Sequence, residues 1–440
     1  MQRLVVTLAA VWLVGSAQAI AQTRPATLAT LFEDIYGPNG LVVSSDDVQL
    51  DGTTHAAHFN SAFQSDFRLV NIALATQLAS IPLPSPASGF TYRFDDATGT
   101  FVRSTQSFGP ILTDRGETIG RGRVAFGFSY QAFTFDHLDG VPLVQVPAVF
   151  RHDNFDLGGG RLDVIGTENV IGASVSQFTG AVTYGITDRI DVALAVPVVR
   201  TELSLISNAT VHRIGTGTNN TVHYFRDDAA IGGYGSTHQY FSEASATGLG
   251  DMLVRLKGTL MREATRAFAA GIDIRMPTGD EQNLLGAGAA GVRPFAAFSA
   301  SMGRFAPHAN LWYQWNGESI LGGDVALGQE GGLPDNFAYA VGTDFGVTDQ
   351  FSVIFDVIGQ RVLDSPRLFT RTLSLSGPGG SVNLPDIFLE SASYWTANAA
   401  LGFKANVATR LLIEVNLKFA MTDGGLTDRV TPLVGLEWAF

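Results

Sequence analysis

A chain of 440 residues that is 45% hydrophobic and 16% charged is too apolar to stay disordered and too long for a minimal scaffold. Its formal net charge of -13 at pH 7 leaves nothing to neutralise a row of phosphates, so no nucleic acid partner is expected. The absence of cysteine excludes a disulfide framework, a thiolate metal site and a cysteine nucleophile.

Residues 1–21 read as an export signal. Arg3 supplies the positive start, Leu4 to Val14 the apolar stretch, and Ala17-Gln18-Ala19 or Ala19-Ile20-Ala21 the small-x-small cleavage site. Beyond it no run of about 18 apolar residues follows, so no transmembrane helix is expected. Residues 22–86 fit no regular ladder. "ATLFEDIYGPNG" resembles a short helix or turn, Ser45 to Asn60 a polar loop, and "FRLVNIALATQLASIPL" (Phe67 to Leu83) is ambiguous between helix and strand. A plug inside a barrel and a periplasmic extension with one or two extra strands both remain open for this segment.

From residue 87 to 440 the chain alternates. In "RIDVALAVPVV", Ile190, Val192, Leu194, Val196 and Val198 fall on one face, with Asp191, Ala193, Ala195 and Pro197 on the other. "RLLIEVNLKFA" sets Leu411, Ile413, Val415, Leu417 and Phe419 against Glu414, Asn416 and Lys418. A charged row thus faces an oily one, and the same split recurs in "MLVRLKGTL", "FAAGIDIRM" and "FSVIFDV". Short turns such as "GITDR", "MREATR", "GRFAP", "GVTDQ" and "ANVAT" are interleaved with long segments rich in Gly, Asn, Asp, Ser and Pro. A soluble sandwich has no such required order. A bilayer does, because every backbone group inside it must be paired, so the sheet closes with short inner and long outer connections.

Hairpins are therefore expected at 120–136 with 161–184, 189–206 with 246–261, 265–276 with 290–303, 307–317 with 335–346, 350–362 with 390–405, and 409–420 with 429–440. One more, Gly89 to Ser104, brings the expectation to about fourteen strands, between twelve and sixteen. The fold class is all-β: a transmembrane antiparallel up-and-down β-barrel in the outer membrane of a Gram-negative bacterium. The final alternation, "VGLEWAF", reads as a closing strand whose Trp438 and Phe440 resemble the C-terminal signal recognised by the barrel-assembly machinery. Outer-membrane lipid is the other expected partner.

On this register Arg255, Lys257, Asp273, Arg275, Asp356, Lys404, Glu414, Lys418 and Glu437 face inward and line the lumen. Opposed charges paired across a filled barrel would be structural, whereas a wet pore lined by them would pass polar solutes. Aromatics of the longest loop region, Tyr224, Phe225, Tyr234, Tyr240 and Phe241, are candidates for a ligand-capture surface or for loop packing. No catalytic constellation emerges. His55 and His58 have a helical spacing but no third ligand, and "DVQLDG" lacks the bidentate Glu of a calcium loop, so neither a metal nor a cofactor is expected, and no enzyme.

Three stretches carry a family likeness: "MPTGDEQNLLGAGAAGVRPFAAFSASMGRFAPHANLWYQWNG" (Met276 to Gly317), "GLGDMLVRLKG" (Gly248 to Gly258) and "FGPILTDRGETIGRGRVAFGFSYQAF" (Phe108 to Phe133). They resemble the outer-membrane proteins grouped as the MetA-pathway phenol-degradation family, often labelled transporters. The resemblance implies a barrel for passive uptake of small hydrophobic or aromatic compounds. A structural or surface-interaction barrel and a general porin are the alternatives. No Asn-Pro-Ala occurs near the mature N-terminus, so the plug and gating of the long-chain fatty-acid channels do not carry over.

Overall fold

In the computed structural model the described residues are 27–37, 41–44, 59–61, 68–81, 92–95, 100–103, 107–153, 155–225, 234–408 and 410–439. The export signal, His55, His58, the "DVQLDG" turn and Phe440 lie outside them. Twelve antiparallel strands close a ring in which each pairs with its sequence neighbours. They are β1 (Val124–Phe135), β2 (Val164–Gly185), β3 (Ile190–His212), β4 (Leu253–Arg262), β5 (Arg266–Arg275) and β6 (Gly291–Ala300). The other half comprises β7 (Phe305–Asn316), β8 (Asn336–Thr348), β9 (Phe351–Gly377), β10 (Gly380–Ala408), β11 (Leu411–Ala420) and β12 (Val430–Ala439). The seam is β12 on β1, running from Leu433 opposite Gln131 to Ala439 opposite Ala125.

Strand length matches the medium. β4, β5, β6, β11 and β12 each have 10 residues, which is the length a tilted strand needs to cross a hydrocarbon core. Along β12 burial alternates without a break, with Val430, Val434, Leu436 and Trp438 exposed and Thr431, Leu433 and Glu437 buried. Exposed large apolar side chains recur around the ring, among them Phe128, Phe178, Leu194, Leu256, Ile274, Leu311, Val341, Phe355, Leu401 and Leu417. In water such a belt would be a severe liability; in lipid it is the solvated face, and the fold is a transmembrane β-barrel.

The ring differs from the sequence reading at its start. The Gly89 to Ser104 hairpin exists as Tyr92–Asp95 with Thr100–Arg103, but these strands form a separate two-stranded sheet. The ring therefore begins at Val124 and not near residue 87, and the strand number falls at the low end of the expected range. The reason is geometric: a hairpin of 4-residue strands is too short to cross the hydrocarbon. Short additions extend the wall outward: Val146–His152 pairs with the top of β2, and Thr237–Leu249 with the top of β3.

The ambiguous apolar stretch resolves as a helix, α1 (Arg68–Ser80). Leu69, Val70, Ile72, Leu74, Ala75 and Ala79 are all buried, so it is covered nearly all round, as a helix enclosed by other elements must be. β9 and β10, with 27 and 29 residues, run far beyond the apolar belt. Their upper parts are tied down where Asp139 accepts from Arg367 Nε and Leu368 N, and where the Gly379 amide donates to Ile214 O at 2.7 Å.

Candidate functional site: the barrel lumen

Two of the described segments held against the inner wall bear on the lumen. The lower one, residues 107–119, precedes the ring and contributes no strand to it. It follows the wall across half the barrel. Phe108 N donates to Ser352 Oγ on β9, Gly109 N to Asp344 on β8, and Asp114 N to Asn310 on β7. It continues through Gly116 N to Ser299 Oγ on β6, Thr259 Oγ1 of β4 to Gly116 O, and Ile119 N to Asp191 on β3. Ile111 and Leu112 pack on Ile354, Ala400 and Leu433 of β9, β10 and β12. Gly116 is needed for this fit, since a Cβ there would lie 2.4 Å from Ala267 O.

Ion pairs fasten the same segment. Arg115 Nη2 lies 2.9 Å from Asp344 Oδ2, and Asp344 also faces His308, whose Nε2 is 2.5 Å from Asp356 Oδ1. Arg255 reaches Asp114 at 2.6 Å and Asp273 at 2.6 Å, and Arg293 joins Asp273 at 2.7 Å. Lys404 lies between Glu414 at 3.1 Å and Glu437. Each of these groups is removed from lipid and has a partner of opposite kind beside it, which avoids the cost of an isolated buried ion.

The upper segment is α1. Arg275 Nη1 and Gln314 Nε2 both donate to Ala79 O, at 3.0 and 3.1 Å. A cation on the last carbonyls of a helix satisfies groups that have no partner within the helix and complements the helix dipole. Gln360 reaches Ser80 Oγ at 3.3 Å from a further strand.

The candidate lumen residues are thereby placed. Asp273, Lys404 and Glu414 are buried in ion pairs, Arg255 is mostly covered in another, and Arg275 holds α1 with Asp251 at 3.7 Å. Asp356 binds His308, and Lys257 is buried in the wall. Lys418 faces a cavity. The loop aromatics are placed differently. Tyr224 and Phe225 are buried: Tyr224 meets Tyr234 edge-on at 5.0 Å, and Phe225 stacks on His238 at 5.6 Å. Tyr240 and Phe241 belong to the strand Thr237–Leu249, where Tyr240 packs edge-on against Tyr36 at 4.9 Å and Phe241 is 59% exposed on the other face. Of the two readings of these aromatics, loop packing describes Tyr224 and Tyr240, which meet Ser44 and Tyr36 of the N-terminal residues.

Three cavities among the described residues bear on the lumen. One, about 1010 Å³ counting its open mouth, lies between α1 and strands β7 to β11 and β1. Its walls include Phe133, Phe135, Trp312, Ile358 and Tyr394, the amides Gln314, Asn336, Gln360 and Asn398, and Leu112 of the lower segment. A second, about 570 Å³, lies on the side of Leu78, Ala79 and Arg275. The third, about 490 Å³, is lower, among Gly127, Thr179, Ala195, Arg255 and Glu437.

Sequence reading missed the lower segment and its partners Asp114, Arg115, His308 and Asp344. The available signal was the loss of alternation in "FGPILTDRGETIGRGR" immediately before the first regular strand.

No curated protein matches the chain in sequence. Among solved structures it is similar to the COG4313 outer membrane channel from Pseudomonas putida F1, at 13% identity over 74% of this chain and 97% of that one, with a TM-score of 0.42. A Pseudomonas aeruginosa FadL homologue follows at 10% identity over 72% and 89%, TM-score 0.30. The CymD monoaromatic hydrocarbon channel is similar at 12% identity over 73% and 89%, TM-score 0.27. Likenesses this loose assign no function. Residues 160–355 match the family model described as "Putative MetA-pathway of phenol degradation". That stretch runs from just before β2 into β9, and over it the chain is similar to that family.

Proposed function

We propose that the protein is an outer-membrane channel for passive uptake of small hydrophobic or aromatic compounds. The observation that carries this reading is the pairing of an aromatic- and amide-lined cavity of about 1010 Å³ with a lower lumen crossed by residues 107–119. Such a cavity has the character of sites that hold small organic ligands, with apolar walls for desolvation and a few polar groups for orientation. A general porin needs a continuous aqueous path lined by solvated charge. Here the lower lumen charges Arg115, Arg255, Asp273, Arg293, Lys404 and Glu414 are paired with one another or with the lower segment. The family description, which concerns phenol degradation, supports an aromatic cargo.

Purified protein in liposomes tests the proposal directly. Uptake of radiolabelled toluene or phenol is expected to exceed that of empty vesicles, with no matching leak of a small sugar. Equal leakage of both would make it a general pore, and flux of neither would make it a structural barrel.

A further inference from the structure

The large cavity contains a cation that no carboxylate reaches within bridging distance, Asp428 in the same lining acting on it only through space. Among the described residues Lys418 Nζ has no ion-pair or hydrogen-bond partner; it sits 5.1 Å from the centroid of the Phe133 ring. The one carboxylate lining the same cavity, Asp428, is already engaged, its Oδ1 accepting from Val430 N at 3.2 Å and its Oδ2 from Thr431 Oγ1 at 2.8 Å. The contrast with Arg115, Arg255, Arg275, Arg293 and Lys404 is sharp, because each of those meets a carboxylate within bridging distance. Lys257 also lacks an ion pair, but it is buried in the wall and lines none of the three cavities.

A cavity meant only for neutral arenes gains nothing from an ammonium group, which stays costly to desolvate when apolar cargo enters. An anion removes that cost through a charge-assisted hydrogen bond. The surroundings specify the rest of the ligand. Phe133 and Phe135 lie nearly parallel, with centroids 6.0 Å apart, and are packed into the wall beside the ammonium, while the partly exposed Trp312, Ile358 and Tyr394 give the same cavity its apolar lining. Tyr394 and the amides of Gln360 and Asn398 line the same space and supply hydrogen-bonding groups for a second ligand oxygen.

We propose that this cavity binds a small aromatic monocarboxylate, with its carboxylate on Lys418 and its ring on the apolar lining of Trp312, Ile358 and Tyr394. The inference rests on the reading of the barrel as a conduit for small aromatics and narrows its cargo to one that carries a single negative charge.

Equilibrium dialysis of the full-length protein with radiolabelled benzoate and with benzamide tests it, since the two share size and ring but differ in charge. Benzoate is expected to bind at least roughly tenfold more tightly, the order of a hydrogen bond to a charged group. Lys418→Met is expected to abolish the preference and Lys418→Arg to retain it. Equal affinity of the unaltered protein for both ligands overturns the proposal without any variant, and so does a benzoate preference that survives Lys418→Met. Toluene uptake by unaltered protein in liposomes separates the two readings. If toluene crosses while benzoate is not preferred, only the carboxylate site falls; if toluene fails to cross, the conduit reading falls and the dialysis result still decides the site.

Discussion

Asp163 illustrates how much one side chain organises on the outer face. It lies just before β2 and is fully buried. Its Oδ1 accepts from the Gly215 and Thr216 amides at 2.8 and 3.0 Å, while Oδ2 meets Thr216 Oγ1 at 2.6 Å and His223 Nδ1 at 2.9 Å. Burial by itself raises the pKa of a carboxyl group, but the hydrogen bonds from His223, Thr216 and Gly215 outweigh it and hold this one below the usual carboxylate range. The sign of the linkage follows. The contribution is fully present above the unfolded-state value and is lost as pH falls through the lower folded-state value. The protection factors of the Gly215 and Thr216 amides should therefore stay high at neutral pH and fall only in strong acid. Asp163→Asn should expose both amides at neutral pH, at a cost of about 2 kcal/mol. Unchanged protection in that variant would show that the loop is held by other contacts.

Elements differ in how plainly they were written into the sequence. The lower luminal segment is held by its backbone and by Arg115, so Arg115→Gln should cost ~3 kcal/mol, the low end for breaking a buried pair because His308 still faces Asp344. The expected readout is a new leak of small sugar through liposomes containing a barrel that still migrates as folded in unheated gels. No leak would mean that the hydrogen bonds from Phe108, Asp114 and Gly116 keep the segment seated without the ion pair. All twelve ring strands were legible, because a strand with lipid on one side and charge on the other prints period-two alternation, as in Leu411 to Phe419 against Glu414 and Lys418. α1 was not, since a helix covered on nearly every side shows no polar stripe, and "RLVNIALATQLAS" reads equally well as strand. The inward direction of Arg255 and Lys404 was legible, yet their partners were not. Asp114 is 141 residues away from Arg255 in sequence, and only closure of the ring brings them together. The burial of Tyr224 and Phe225 was not legible for a related reason, because polar neighbours marked a loop while Ser44, which bridges Tyr224, is far away in sequence.

For the whole molecule the decisive relation is between the apolar belt and the bilayer. β12 offers a clean ruler, because Val430 and Val434 point outward on one 10-residue strand, the first at its outer end and the second near its middle. If lipid surrounds the belt, an arginine at Val434 must be carried into hydrocarbon, whereas one at Val430 reaches the headgroups. Val434→Arg should then destabilise the barrel by about 2–4 kcal/mol and Val430→Arg by only ~0–1 kcal/mol. Denaturant titration of folding into lipid vesicles measures both. Detergent micelles, whose thickness adapts to the protein, should narrow the gap. Equal costs in vesicles would contradict this depth assignment, and with it the division of the lumen into an aromatic outer cavity and a charge-locked inner half. That division depends on where along the strands the membrane ends: Lys418 lies two positions from the outer end of β11 and Glu414 six, so a shift of the belt by a single turn of the pleat would change which of them solvent can reach.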